Sequence, residues 1–142
     1  MNAGIASTKE AIRNLGVFRM DNQNRYSIST DIKFEALELI DIPKLIRNCE
    51  KDWQNFPLCE VNDSVVRLGV IRGEFHWHKH NKEDEFFYVI DGLLHIDLED
   101  RTVDLESGQG FLVPRGISHR TRALERTAIL ALERKSVNLT GD

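Results

Sequence analysis

The hydrophobic pattern of this chain changes character near residue 60. Ahead of that point apolar residues recur at helical intervals. Ser7-Thr8-Lys9-Glu10 has the Ser-x-x-Glu form of a capping box, with Ile12 and Leu15 behind it, and predicts a short helix. Phe34 to Ile40 reads as an edge strand. Asp41 then has the character of an N-cap, with Pro43 in the first turn. Leu45, Ile46, Cys49 and Trp53 share a helical face and predict a helix from about Ile42 to Trp53, with its Trp and Cys in the core.

From Asp63 onward the period is two. The stretches "SVVRLGVIRG", "EFHWHKH", "EFFYVI", "LLHIDLE", "TVDL", "GFLVP" and "RTAILALE" are short, β-branched or alternating, and separated by Gly, Pro, Asp and Asn. Seven or eight such strands in succession predict a β-sandwich or a small barrel. "DLEDRTVDL" predicts a hairpin that turns around Asp100. The pattern therefore divides the chain into an N-terminal extension, residues 1–60, with one or two short helices and an edge strand, and a β domain, residues 61–142.

Composition narrows the function. A chain of 142 residues can bury roughly 70% of its unfolded surface and needs no staples. A formal charge of -4 and the lack of a Lys/Arg cluster argue against nucleic acid as a partner. The longest apolar runs, such as "FFYVI" and "AILAL", fall far short of the roughly 20 residues of a membrane helix. "MNAGIASTKEAIRNLG" lacks the apolar core of a secretion signal. Cys49 and Cys59 read as two reduced thiols, and the cytoplasm is the expected location.

Three of the five histidines, His76, His78 and His80, alternate in one short stretch that runs on into Glu83, Asp84 and Glu85. On a strand they share a face, while Phe75, Trp77 and Lys79 take the other. Successive side chains on one face lie about 6–7 Å apart. Two imidazoles at that spacing can converge on a cation about 2.0–2.1 Å from each nitrogen, but a straight row of three cannot. The triplet thus offers two ligands and a neighbour. Glu85 follows the polar turn "NKED", and a hairpin there returns it beside the histidine strand. His119 follows the rigid turn expected at Pro114 and Gly116. Three imidazoles and one carboxylate are then available, a mixed nitrogen/oxygen set that divalent metals accept. A solvated face is the competing reading, and the neighbouring acids weigh against it.

Parity extends this picture. Phe87 and Val89 share Glu85's side and should line a cavity, whereas Phe86, Tyr88 and Ile90 should face outward with Phe75 and Trp77. Asp84 should order the turn or pair with a Lys or Arg, and His95 should be exposed. Arg115, Arg120 and Arg122 surround the second turn and read as solvated. Arg67, Gly69 and Ile71 share one face, which the pattern does not assign as inner or outer.

These residues resemble the two signature motifs of the cupins. His78-x-His80, four residues, Glu85, six residues and Gly92 match the first motif. Gly108, five residues, Pro114-x-Gly116, two residues and His119 match the second. Two departures stand out: Gly73 precedes His78 by four residues where the family has five, and Ala123 occupies the position of a family Asn that is not a metal ligand. The likeness runs from about Ile42 to Asp142 and is greatest to small stand-alone cupins.

The resemblance implies an all-β, cupin-type barrel or jelly roll with an α-helical N-terminal extension. It implies a ligand set of His78, His80, Glu85 and His119 for one divalent transition metal, Fe, Mn, Ni or Zn. It sets His76 aside from the ligands, as the catalytic candidate one strand step away. The expected activity is that of a metalloenzyme acting on a small oxygenated acid or sugar derivative by dioxygenase or isomerase-type chemistry. The alternative is a non-enzymatic module that binds or senses a small molecule. Cupins of this size resemble one another in forming dimers through the outer sheet, for which Phe75, Trp77, Phe86 and Tyr88 are the expected contacts.

Overall fold

A computed structural model describes residues 17–19 and 26–142. Among them are nine strands and one helix: β1 (Val17–Arg19), β2 (Ser27–Ser29), α1 (Ile42–Asn48), β3 (Trp53–Val61), β4 (Ser64–Glu74), β5 (Glu85–Asp91), β6 (Leu93–Leu98), β7 (Thr102–Glu106), β8 (Gly110–Val113) and β9 (His119–Arg134). The helix expected behind Ser7 lies outside the described residues. No helix of the described residues is long and apolar enough to cross a membrane.

The strands form one hydrogen-bonded sheet in the order β1-β2-β3-β4-β9-β5-β8, with β6 joining β9 to β7. The long strand β9 organises it. Its residues 128–134 lie between β4 and β5, and its residues 119–122 pair with β6. The expected hairpin is β6–β7, closed by Leu98 N–H donating to the Arg101 carbonyl at 2.7 Å. Gly92 joins β5 to β6 with φ +100°, where a Cβ would sit 2.5 Å from Thr127 Oγ1 and 3.0 Å from its Cα. Only glycine fits both that backbone and that approach.

Two apolar clusters lie on opposite faces of β4. The inner one includes Trp53, Ile71, Phe75, Phe87, Val89, Ile96 and Ile129. The outer one includes Cys49, Phe56, Leu58, Leu68 and Val70, covered by Leu45 and Ile46 of α1. Alternation along β4 thus sends Arg67 and Ile71 inward and Leu68 and Val70 under the helix. Burial on both faces is why hydrophobicity alone left the orientation of β4 open.

The extension differs from the sequence pattern in two places. Helix α1 starts as expected, with Asp41 Oδ1 accepting from Lys44 N–H at 3.1 Å and Pro43 in the first turn. It ends at Asn48, not Trp53. Arg126 donates to the carbonyls of Ile46 at 2.6 Å and Cys49 at 2.8 Å, which satisfies groups the last turn leaves open. Trp53 instead opens β3 and packs against Tyr26 and Phe75. Phe34–Ile40 is not a strand. Only Lys33 and Phe34 bond to β3, and the chain then turns at Leu37 with φ 68°. The short strand of this region is β2, which runs parallel to β3.

Candidate metal centre

The stretch from Phe75 to Asp84 is not a regular strand. Phe75 N–H donates to the Thr121 carbonyl at 2.9 Å, and His78 and His119 exchange two backbone hydrogen bonds of 3.0 and 2.9 Å. Three steps along this segment therefore face two along β9, and the period-two rule breaks, as at a bulge. Phe75 and His78 both turn inward, while His76 and Trp77 are exposed. This corrects the expectation that Phe75 faces out. It is 8% exposed, in the inner cluster. Trp77 does face out, with the Arg120 guanidinium 5.5 Å above its ring.

Three further contacts fasten the two motifs together. Gly116 N–H donates to the His80 carbonyl at 2.7 Å. Asp84 Oδ1 accepts from Arg115 N–H at 2.9 Å and from its Nε–H at 3.2 Å, and this holds the Asp84 carboxyl below the usual carboxylate range. Of the two roles expected of Asp84, pairing with an arginine is the one seen. Asp97 takes Arg120 and Arg122 at 2.8 Å each, so those arginines are paired and not simply solvated. His95 is also not the exposed residue expected. Its side chain is 12% exposed and it pairs with Asp104 at 2.6 Å.

The result is a convergence of His78, His80, Glu85 and His119, whose ligand atoms all lie within 4.8 Å of one another. Glu85 Oε1 is 3.4 Å from His119 Nε2, and its Oε2 is 3.9 Å from His80 Nε2. Two of the imidazoles are oriented by the backbone. His78 Nδ1–H donates to the His76 carbonyl and His119 Nδ1–H to the Ile117 carbonyl, each at 2.9 Å. That leaves the Nε2 lone pair of both rings for a ligand. His76 lies outside the convergence. Its ring is 5.4 Å from that of His78, and its Nε2–H donates to the Thr140 carbonyl at 2.7 Å.

The donor set fits a divalent ion on two physical grounds. First, His80 is 3% exposed and both its ring nitrogens are buried without a hydrogen-bond partner. A buried imidazole left this way is costly unless something takes its lone pair. Second, burial keeps the rings neutral: it pushes His78 down to about 3, and lowers His80 and His119 as well. Neutral imidazole is the ligating form.

Sequence pattern did not find the groups behind Glu85. Glu133 pairs with Glu85 across β5 and β9 and is 4% exposed. Burial raises both carboxyls above the usual range, Glu133 further because Glu85 lies beside it. Arg67, also 4% exposed, donates to Asn55 Oδ1 and to the Ser29 carbonyl at 2.7 Å each and lies 3.9 Å from Glu133. Parity with Ala131 and Ile129 was the available signal for Glu133, but a carboxylate on an alternating strand end reads as solvated. With His78, Glu85, Phe75, Phe87 and Ile129, these groups line a cavity of about 50 Å³.

Comparison with known proteins agrees with this architecture. Residues 65–133 match the family description "Cupin domain". The uncharacterized protein YdbB of Bacillus subtilis is 46% identical over 82 residues, which are 57% of this chain and 73% of that protein. Protein SchB of Streptomyces halstedii is 42% identical over 59 residues, 42% of this chain and 41% of that protein. The crystal structure of a cupin-2 domain containing protein from Shewanella frigidimarina superposes with a TM-score of 0.65 at 30% identity, over 68% of this chain and 94% of that one. With both motifs brought to one site and a cupin-2 domain structure matched at 30% identity over 94% of its length, the chain belongs to the cupin family.

Proposed function

We propose that this cupin is a divalent-metal-dependent enzyme acting on a small oxygenated acid or sugar derivative, by oxygenase or isomerase-type chemistry. The observation that carries the reading is the convergence of three imidazoles and Glu85 within 4.8 Å, with the His80 ring nitrogens without a hydrogen-bond partner. His78, His80, Glu85 and His119 would hold the ion, Fe, Mn, Ni or Zn. A bound ion would supply Lewis acidity at a substrate oxygen. The chain's own residues do the rest. The Arg67 guanidinium attracts a negative substrate group. Glu133 lies beside Glu85 on the neighbouring strand, and their shared burial favours a proton between them. Phe75, Phe87 and Ile129 give the cavity an apolar wall. His76 enters as the proposed proton-handling residue. Its Nε2–H sits one ring from His78 and would act once its bond to Thr140 is released.

A second reading, a module that binds or senses a small ligand without turnover, is favoured by the small size of the inner cavity. We also propose a homodimer through the outer sheet. Phe86, Tyr88, Leu112 and Leu132 are exposed at 38, 38, 53 and 40% on adjoining strands beyond the cover of α1. The test of the main reading is metal analysis of anaerobically purified protein, followed by oxygen uptake and isomerisation assays on small acids and sugars. About one divalent ion per chain, lost in His119→Ala, supports it. Full metal retention in His119→Ala overturns the ligand assignment. Ligand-induced thermal shifts with no turnover favour the binding module.

A further inference from the structure

The segment that follows β9 crosses back over the histidine stretch. Ser136 Oγ donates to Glu83 at 3.2 Å, and Asn138 organises a small loop by donating from Nδ2 to the Gly141 carbonyl at 2.7 Å. The loop is tied to the far side by His76 donating to the Thr140 carbonyl at 2.7 Å, Asp142 N–H donating to the Lys79 carbonyl at 2.9 Å, and Asp142 Oδ2 accepting from Asn81 N–H at 2.7 Å. Gly141, with φ +93°, packs so closely on His78 that a Cβ would lie 2.6 Å from the His78 Cβ. The ties at His76 and Asn81 are exposed, and no strand ladder reinforces this segment. Such segments open locally at far lower cost than the core.

Leu139 is the consequential residue. It lines the cavity beside the metal ligands, and it also lines a second, outer pocket of about 260 Å³ bounded by Thr30, Ile32, Glu60, Lys135 and Val137. Arg67 is the other residue of the described chain that lines both. The inner space of about 50 Å³ admits a few waters or a ligand of few heavy atoms. Joined, the two spaces reach roughly 300 Å³, the lower end of small-molecule sites. The outer pocket carries Arg67 and Lys135 with one acid, Glu60, which pairs with Lys135 at 3.5 Å, so one positive charge is in excess.

We propose that residues 136–142 form a strap with Leu139 as its gate, and that a small carboxylate-bearing molecule reaches the metal from the outer pocket, past Leu139 and Arg67, when the strap lifts. This rests on the metal-site reading above and adds the route and the charge of the substrate. Gating of this kind is how closing segments exclude water and select what enters.

The test uses the full chain loaded with Co(II), whose visible spectrum reports ligands joining the metal. Acetate and neutral pyridine are mixed with it in stopped flow. Leu139→Ala should speed the association of both by about tenfold or more, and Leu139→Trp should slow both. Lys135→Glu should slow acetate several-fold and leave pyridine unchanged. Equal rates in the three Leu139 chains overturn the gate. An equal effect of Lys135→Glu on both ligands, or none, overturns the anion preference. Failure to take up cobalt overturns the metal reading and the gate with it, whereas uptake with unchanged rates overturns the gate alone. Hydrogen exchange of the wild type gives a check that needs no variant. The Gly141 and Asp142 amides should exchange by local opening, and protection equal to that of Val70 in β4 refutes the strap.

Discussion

Metal-free protein should lose stability as pH falls from 7.5 to 5, and His78 provides the part that can be worked out. Burial holds its folded-state protonation down at about 3, against roughly 6.5 in an unfolded chain. Above 6.5 neither form binds the proton and the contribution is fully present. Below 6.5 the unfolded chain takes up a proton that the folded ring refuses, so stability drains away until pH approaches 3. At pH 5 the difference is about 2 kcal/mol from this ring alone. His80 and His119 are lowered by the same burial and add losses of the same sign. Glu133 and Glu85 work the other way, because burial raises both and so favours the fold as pH falls. They are two groups against three. In a chain of this length 2 kcal/mol lowers the melting temperature by about 6–8 °C. The assay is thermal unfolding of chelator-treated protein at pH 7.5, 6.5, 5.5 and 5, beside His78→Gln. The variant should show a shallower slope, by about one proton. A midpoint that stays constant from pH 7.5 to 5, or a His78→Gln slope equal to wild type, would refute the reasoning that burial keeps this ring neutral.

Three other outcomes are expected. Gly92→Ala should cost about 2–4 kcal/mol, because it combines a left-handed backbone with a clash against Thr127; a urea midpoint within error of wild type would contradict this. Leu68→Ala should cost about 2–5 kcal/mol, since its fully buried side chain fills the space between β4 and α1, and denaturant titration measures it. Phe86→Asp should shift the protein from dimer to monomer in light scattering while leaving its metal content unchanged, because Phe86 lies on the outer face and its neighbour Phe87 lines the cavity.

Much of the site was legible because its chemistry is local in spacing. His78, His80 and Glu85 are separated by one short turn, and a Pro-x-Gly turn precedes His119. Residue types that rarely gather by chance thus marked two pieces of one centre. What the pattern missed came from geometry that has no period. The three-against-two bulge at Phe75 and His78 moved Phe75 from the outer face to the cavity. Trp53 fell at helical spacing by coincidence, and its burial against Tyr26 and Phe75 required a strand.

The sequence by itself determined the β-rich character beyond residue 60, the α1 start at Asp41 and the β6–β7 hairpin, because each depends on side-chain type and near spacing, while the four converging residues were marked by their likeness to the cupin motifs. Only the tertiary structure decided which face of β4 is inner, because both faces are buried and hydrophobicity cannot tell them apart. It alone set Glu133 beside Glu85 and Arg67, and laid residues 136–142 across the histidines. Those contacts join parts of the chain about 50 or more residues apart, and no local periodicity encodes which distant partner a buried charge or a returning segment will meet.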